Sequence, residues 1–402
     1  MDESGGLPTG AVHLKRGRAK PFFFGHPWVF SGSVERVEGR PRDGDVVDLF
    51  DHKGRFIARG FYNSRSQIRV RLVSWNPDEA IDEGLFRRRL AAAFDLRHST
   101  LDLPAQTEAY RVVYSEGDGL PGLVVDRYRQ WLVAQFVSLG MARRKDMLAA
   151  VLAEVSEGLH VFERSDSDVH ALEGIEPRVG PLTGDEPPRP LEVNVHGVRF
   201  LVDLWRGQKT GLFLDHRENY LAVQPYCRGR RLLDCFSYTG GFVLFGAAGG
   251  AEGVVGVEMS REALELAERN VALNGLGGVA FRQGNVFGEL RALRAEGQRF
   301  GIVVLDPPKF ARSAADVEKA LRGYRDINLV AMQCLEEGGI LVTCSCSQHV
   351  DEATFEAMLN DAAGDVGREV QVLERRSQGR DHPVAASCPE GRYLKCFICR
   401  VL

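Results

Sequence analysis

The chain has 402 residues, 44% of them hydrophobic and 26% charged, with a formal net charge of −4. That length exceeds what one core usually fills, so two or three domains are expected, and the composition excludes wholesale disorder. No apolar run approaches the roughly 20 residues of a membrane helix, and Met1–Gly6 lacks the basic and apolar regions of a secretory signal, so the expectation is a cytoplasmic protein with no membrane partner.

Charge is unevenly spread. Residues 1–75 carry 13 Lys or Arg against 8 Asp or Glu, a surplus that suits phosphate neutralisation on RNA and equally suits a chance excess on solvated faces. Runs at Gly44–Asp51, Phe56–Tyr62 and Gln67–Val73 read as short strands of a small β-barrel. Ahead of them lie Lys15-Arg16-Gly17-Arg18-Ala19-Lys20 and Gly25-His26-Pro27-Trp28-Val29-Phe30-Ser31-Gly32. This stretch resembles a PUA domain, an RNA-binding fold. The resemblance implies that Lys15, Arg16 and Arg18 contact RNA with Trp28 beside them, although Trp28 and Phe30 read equally well as core. The expected first domain is 1–76.

Residues 77–190 are expected to form a small α+β domain. Phe86, Leu90 and Phe94 recur at helical spacing within Leu85–Phe94, and the turn Glu116–Gly122 precedes an apolar run at Leu123–Tyr128. That turn is acidic and Gly-rich, but it lacks a third regularly placed acid and a Glu at the twelfth position. No calcium loop, and no metal, is therefore expected. Gly184–Pro190, with three prolines, marks the next boundary.

From Leu191 to Leu402 apolar runs at Arg231–Phe236, Gly253–Glu258, Val279–Arg282, Gly301–Asp306 and Gly339–Ser345 alternate with helical stretches such as Arg261–Asn274. The fold class is therefore α/β, a mainly parallel sheet covered on both faces, with ligands beyond the C-terminal strand ends. There Asp234 precedes the tight turn Phe236-Ser237-Tyr238-Thr239-Gly240-Gly241, where two glycines let the backbone approach a ligand. Glu258 follows on the next run, about where an acid reaches ribose hydroxyls in nucleotide-binding β-α-β units. The turn supplies no G-x-G-x-x-G cradle, which disfavours a dinucleotide and favours S-adenosylmethionine. Asn285, after the third run, is placed to read adenine or simply to turn the chain.

Two further strand ends carry Asp306-Pro307-Pro308-Lys309-Phe310 and Thr343-Cys344-Ser345-Cys346-Ser347, an acid and a thiol whose pairing suits covalent chemistry on a nucleobase. With Asp203–Asn219, the His26–Gly32 stretch, Glu116–Gly122, Asp381-His382-Pro383-Val384 and Glu390-Gly391, the chain resembles, nearly end to end, the large-subunit ribosomal RNA cytosine-5 methyltransferases of the RlmI type. The resemblance implies a Rossmann-like class I methyltransferase domain over 191–402, ribosomal RNA or an assembling subunit as partner, and a homodimer as one open option. It makes Cys346 the nucleophile; beside it Asp306 reads as the partner of the base edge, Lys309 as an electrostatic aid to the thiol or a solvated surface lysine, and Cys344 as packing. It widens the expected cofactor set to Phe213, Arg217, Asp234, Phe236, Ser237, Tyr238, Thr239, Gly240, Gly241, Glu258, Met259, Ser260, Asn285, Val286, Asp306 and Pro307. Two rivals remain: methylation of a base nitrogen, which needs no thiol, and a non-catalytic RNA-binding or assembly factor. Residues 1–75 are expected to be separable, their deletion weakening RNA binding while sparing cofactor affinity.

Overall fold

A computed structural model describes residues 6–311 and 313–402. The chain divides into two compact units, one of Met1–Val193, Val202–Gly211 and Arg380–Gly391, the other of Asn194–Leu201, Leu212–Gly379 and Arg392–Leu402. Among the described residues no helix is long and apolar enough to cross a membrane.

The first unit holds a six-stranded sheet in the order Trp28–Phe30, Ile68–Ser74, Phe56–Tyr62, Val46–Phe50, Gly10–Leu14 and Val34–Gly39. Three of these match the expected runs. The other three are too short or too polar to show alternation; Val34–Gly39 is an edge strand exposed over most of its length. A five-stranded sheet follows, in the order Arg178–Thr183, His160–Ser165, Trp131–Phe136, Leu123–Tyr128 and Ala109–Tyr114. Helix Glu83–Asp95, whose N-terminus is capped by Asp82 accepting from Leu85 N, buries Leu85, Phe86, Leu90 and Phe94 in one core with Val46, Phe61 and Val73. Residues 1–75 are therefore not cleanly separable, because removing them takes three side chains out of a core that the following segment needs. The C-terminal return of Arg380–Gly391 was not legible as part of this unit. It is held by Arg97, fully buried, whose guanidinium pairs with Asp118 and donates to the Asp381 carbonyl at 2.7 Å, and by Arg111 N donating to the Asp381 carboxylate at 2.9 Å.

The second unit is a seven-stranded sheet. After a helix at Arg217–Val223, the sheet and the helices between its strands are, in chain order, β1 (Arg231–Cys235), α1 (Gly241–Ala248), β2 (Gly253–Glu258), α2 (Arg261–Leu273), β3 (Val279–Gln283), α3 (Val286–Ala295), β4 (Phe300–Leu305), α4 (Val317–Cys334), β5 (Leu335–Ser345), α5 (Glu352–Val366), β6 (Val370–Arg376) and β7 (Lys395–Val401). The strand order is 3-2-1-4-5-7-6, parallel except that β7 runs antiparallel between β5 and β6. Alternate residues of the central strands enter opposite cores. Leu233, Val303, Leu305 and Leu341 meet α3, α4 and α5, while Leu232, Ile302, Val304, Ile340 and Val342 meet α1. Both faces are dry, which is why these runs are continuously apolar rather than alternating. The order reverses between β1 and β4, and the crevice at such a reversal is where open parallel sheets bind ligands.

Candidate active site

At the end of β1 the backbone turns sharply. Phe236 and Tyr238 adopt positive φ of 67° and 48°, and Gly240 one of 91°, a conformation that costs a residue with a β-carbon. The turn is held from outside: Phe236 N and Ser237 N both donate to Val257 O, and the Glu258 carboxylate accepts from Tyr238 N at 3.0 Å, Met259 N at 2.8 Å and Ser260 N at 2.9 Å. A β-carbon on Gly241 would lie 2.5 Å from the ring of Tyr220, so this position is limited by space.

Within that turn Asp234 is almost wholly buried, and neither carboxylate oxygen meets a protein donor at hydrogen-bonding geometry; the buried Ser237 hydroxyl is likewise unmatched. Burial, followed by the charge of Asp306, drives the Asp234 carboxyl well above its usual range, with the Val243 backbone amide opposing. A buried carboxyl without donors is costly unless a ligand completes it, and a cation is the complement this one lacks. S-adenosylmethionine, with an ammonium and a sulfonium, fits on that ground. Asp234 and Ser237 would hold its amino-acid end and Glu258 its ribose.

Asp306 is the first residue past β4. His216 Nε2 donates to its carboxylate at 3.2 Å, and the reactive atoms of His216, Asp306 and Cys344 lie within 4.8 Å of one another. Sequence reading missed His216, whose only signal was its place in the polar stretch Asp203–Asn219. Burial alone would depress this imidazole, but the charges of Asp306 and Asp215 outweigh it and hold the ring at about 9. The Asn219 amide opposes them: Arg376 Nε donates to Asn219 Oδ1 and the amide nitrogen reaches both Ser377 O and His216 Nδ1, presenting a donor to an atom that a charged ring also protonates. With the Asp306 and Asp215 carboxylates nearby, the charged form prevails. Its folded pKa lies above the ordinary 6.5, so it contributes stability in full below about pH 6.5 that is lost as pH rises through about 9, on the order of 3 kcal/mol in all. Thermal melting of wild type and His216→Gln should therefore diverge at neutral pH and converge in alkali; parallel curves would mean that the ring stays neutral.

Cys346 is the first residue past β5, the strand beside β4. Of the eight cysteines it is the one that is not fully buried. Its neighbours Ser345 and Ser347 point to the other face, as alternate strand residues do, where the Tyr324 hydroxyl bonds both at 3.0 Å and Ser347 Oγ also accepts from Ala311 N at 3.1 Å. That hydroxyl chain fixes the loop so that the Cys346 thiol reaches toward Pro307 O at 4.0 Å. Cys344 faces Cys396 across β5 and β7, fully buried, and burial pushes its thiol well up, as suits packing. Lys309 is exposed; Lys395 on β7, 7% exposed, is a buried cation at this strand end, donating to Ser347 O at 2.7 Å, which sequence reading passed over.

The remaining expected residues divide. Phe213 packs edge-on to Tyr238 at 5.2 Å, Met259 is 67% exposed next to Glu258, and Thr239 is buried, its carbonyl accepting from Asn270. Arg217 is buried with its guanidinium on His196 Nε2 at 2.8 Å. Ser260 caps α2 by accepting from Ala263 N and Asn285 caps α3 by accepting from Phe287 N, the plain structural use of Asn285. Val286 is core, so only its backbone faces outward. In the first unit Lys15, Arg16 and Arg18 are exposed, whereas the Trp28 indole N–H is committed to Glu116 at 2.7 Å. The most accessible rings there are Phe24, 74% exposed, and Phe30, 47% exposed, ahead of Phe23 and Trp75.

Comparison with known proteins agrees with this geometry. Residues 12–75 match the profile of PUA-like domains and residues 179–386 that of S-adenosylmethionine-dependent methyltransferases. Ribosomal RNA large subunit methyltransferase I of Escherichia coli K12 is 44% identical over 394 residues, 97% of this chain and 98% of that one. A solved chain of Streptococcus mutans assigned to the SAM-dependent methyltransferases superposes with a TM-score of 0.83 at 19% identity, covering 97% of this chain and 99% of that one. Another solved with SAH gives 0.84 at 20% identity, covering 98% and 100%; at such identity both show the fold.

Proposed function

Because the chain belongs to the family of ribosomal RNA large subunit methyltransferase I, we propose that it methylates carbon 5 of a cytosine in large-subunit ribosomal RNA through a covalent adduct with Cys346. It is an S-adenosylmethionine-dependent methyltransferase. The observation that carries the carbon-5 reading is the placement of the Asp306 carboxylate and the Cys346 thiol one residue past the ends of adjacent parallel strands, Leu305 being paired with Thr343, on the same sheet edge as Asp234. A reaction at nitrogen needs no such thiol.

Carbon 5 of cytosine is a poor nucleophile until a thiolate adds to carbon 6. In this reading Cys346 makes that bond, and Asp306 accepts from the N4 amine while its pair with the His216 imidazolium delivers a proton to N3 as charge accumulates there. Bound S-adenosylmethionine supplies an electrophilic methyl group. Asp234 and Glu258 orient it, and Pro307, whose ring fixes φ, stiffens the wall between the two sites. Asp234→Asn should weaken S-adenosylmethionine binding by about tenfold or more in calorimetry, since a charge-assisted contact of about 1.5–3 kcal/mol is lost. Unchanged affinity would remove Asp234 from the cofactor site.

Reaching a stacked base costs a few kcal/mol that contacts elsewhere offset. The proposal therefore assigns Lys15, Arg16 and Arg18 to phosphates, with Phe24 and Phe30 as accessible faces, on ribosomal RNA or an assembling large subunit in the cytoplasm. Replacing the three cations by alanine should lower RNA affinity by roughly tenfold or more and flatten its salt dependence, with cofactor affinity unchanged. This triple variant replaces truncation at residue 75 as the test, because it leaves the shared core intact. Equal loss of cofactor binding would contradict the assignment.

A further inference from the structure

A thiol with an ordinary pKa of about 8.5 is mostly protonated at neutral pH, so the nucleophile proposed above needs a group that holds its anion. Lys395 opens β7 and stands directly opposite Ser345, the residue before Cys346, in the β5–β7 register. Its ammonium donates to Ser347 O, the residue after Cys346, at 2.7 Å and to Tyr393 O at 2.9 Å. In that register Lys395 shares the sheet face of Ser345, not that of Cys346; its ammonium reaches the Cys346 segment at the strand end, through the carbonyl after Cys346, and two carbonyls fix its place in a buried setting where a long side chain would otherwise be mobile. The two carbonyls are neutral, and a buried charge is retained at a cost unless it meets an opposite one; Asp351 and Glu352 supply part of that charge.

We propose that Lys395 is the positioning residue for the Cys346 thiolate, its ammonium serving as the counter-ion that replaces Lys309 in this role. The inference rests on Cys346 being the nucleophile. In the step it serves, the Cys346 S–H bond breaks and its proton passes to water, the Lys395 ammonium offsetting the charge left on sulfur. The sulfur lone pair forms the bond to carbon 6, the C5–C6 π pair becomes the C4–C5 bond, and N3 takes up a proton from the His216–Asp306 pair at that edge. Burial draws the Lys395 pKa down to about 8, so the ammonium still prevails at neutral pH. The Cys346 charge pulls it back up, Lys309 pushes it down, and Asp351 and Glu352 at the start of α5 favour the ammonium.

The test is the rate of Cys346 alkylation by iodoacetamide in the full chain without RNA, followed by peptide mass spectrometry from about pH 6 to about pH 10. Lys395→Gln, which keeps a donor for the two carbonyls but no charge, should raise the midpoint by about one unit or more. Lys395→Arg should stay near wild type, and Lys309→Ala should move the midpoint less than Lys395→Gln. Because the loop is tied down by the same ammonium, Lys395→Met is run beside them, with S-adenosylmethionine calorimetry as the check on folding. A wild-type midpoint in Lys395→Gln, or a larger shift in Lys309→Ala, overturns the proposal. The assay reads ionisation without turnover, so it stays distinct from a failure of the nucleophile assignment itself, which retained methylation by Cys346→Ala would reveal.

Discussion

Replacing Cys346 by alanine is expected to abolish methylation, by more than about 10⁴-fold in kcat, the scale seen when an enzyme loses its covalent nucleophile. The same variant should fail to form the denaturation-resistant adduct with RNA containing 5-fluorocytosine, in which fluorine at carbon 5 blocks release of the sulfur. Folding and cofactor binding should be preserved, because Cys346 lies at the margin of its core cluster and its loop is held by Ser345, Ser347 and Tyr324. By contrast Cys344→Ala should remain active and lose stability, since that thiol packs inside the sheet. Turnover that survives Cys346→Ala would transfer the reaction to a base nitrogen.

Asp306→Asn is expected to lower kcat by roughly 10²–10³-fold, the usual effect of removing one group that stabilises charge at the reacting centre, with KM for RNA little changed. This variant carries a second signature. Asp306 is the first acid that holds His216 at about 9; without it the imidazole should titrate near its ordinary value, and the alkaline loss of stability between about pH 6.5 and about pH 9 should vanish. Wild type should thus be the more stable at neutral pH and the two should melt alike above about pH 10. Near-normal activity with a normal pH profile would show that Asp306 serves neither the base nor the histidine.

Much of the methyltransferase-like unit was legible locally. Continuous apolar runs bounded by turn residues placed five strands within a residue or two, apart from the early start of β5, and Arg261–Asn274 read as the helix that forms over Arg261–Leu273. Two strands escaped. Val370–Arg376 alternates at a half-exposed edge, and Lys395–Val401 mixes cysteines with charges although it sits between two other strands. The segments Arg380–Gly391 and Val202–Gly211 fall within the domain expected over 191–402. Instead they complete the other unit, through Asp381 with Arg97 and Arg111, and through Thr210 donating to Asp126 at 2.6 Å.

From sequence alone came the α/β order, the strand-tip positions of Asp234, Glu258, Asp306 and Cys346, and the kind of chemistry an acid and a thiol perform there. Those features are local, because a strand end, a turn and the residue after it are neighbours along the chain. Tertiary structure decided which cation is buried at the thiol's strand end and which base steadies the acid. Lys395 reaches the carbonyl after Cys346, and His216 reaches Asp306, because β7 inserts antiparallel next to β5 and because the stretch before β1 folds onto the strand tips. Pairings across such sequence distances leave no periodic trace in the residues that make them.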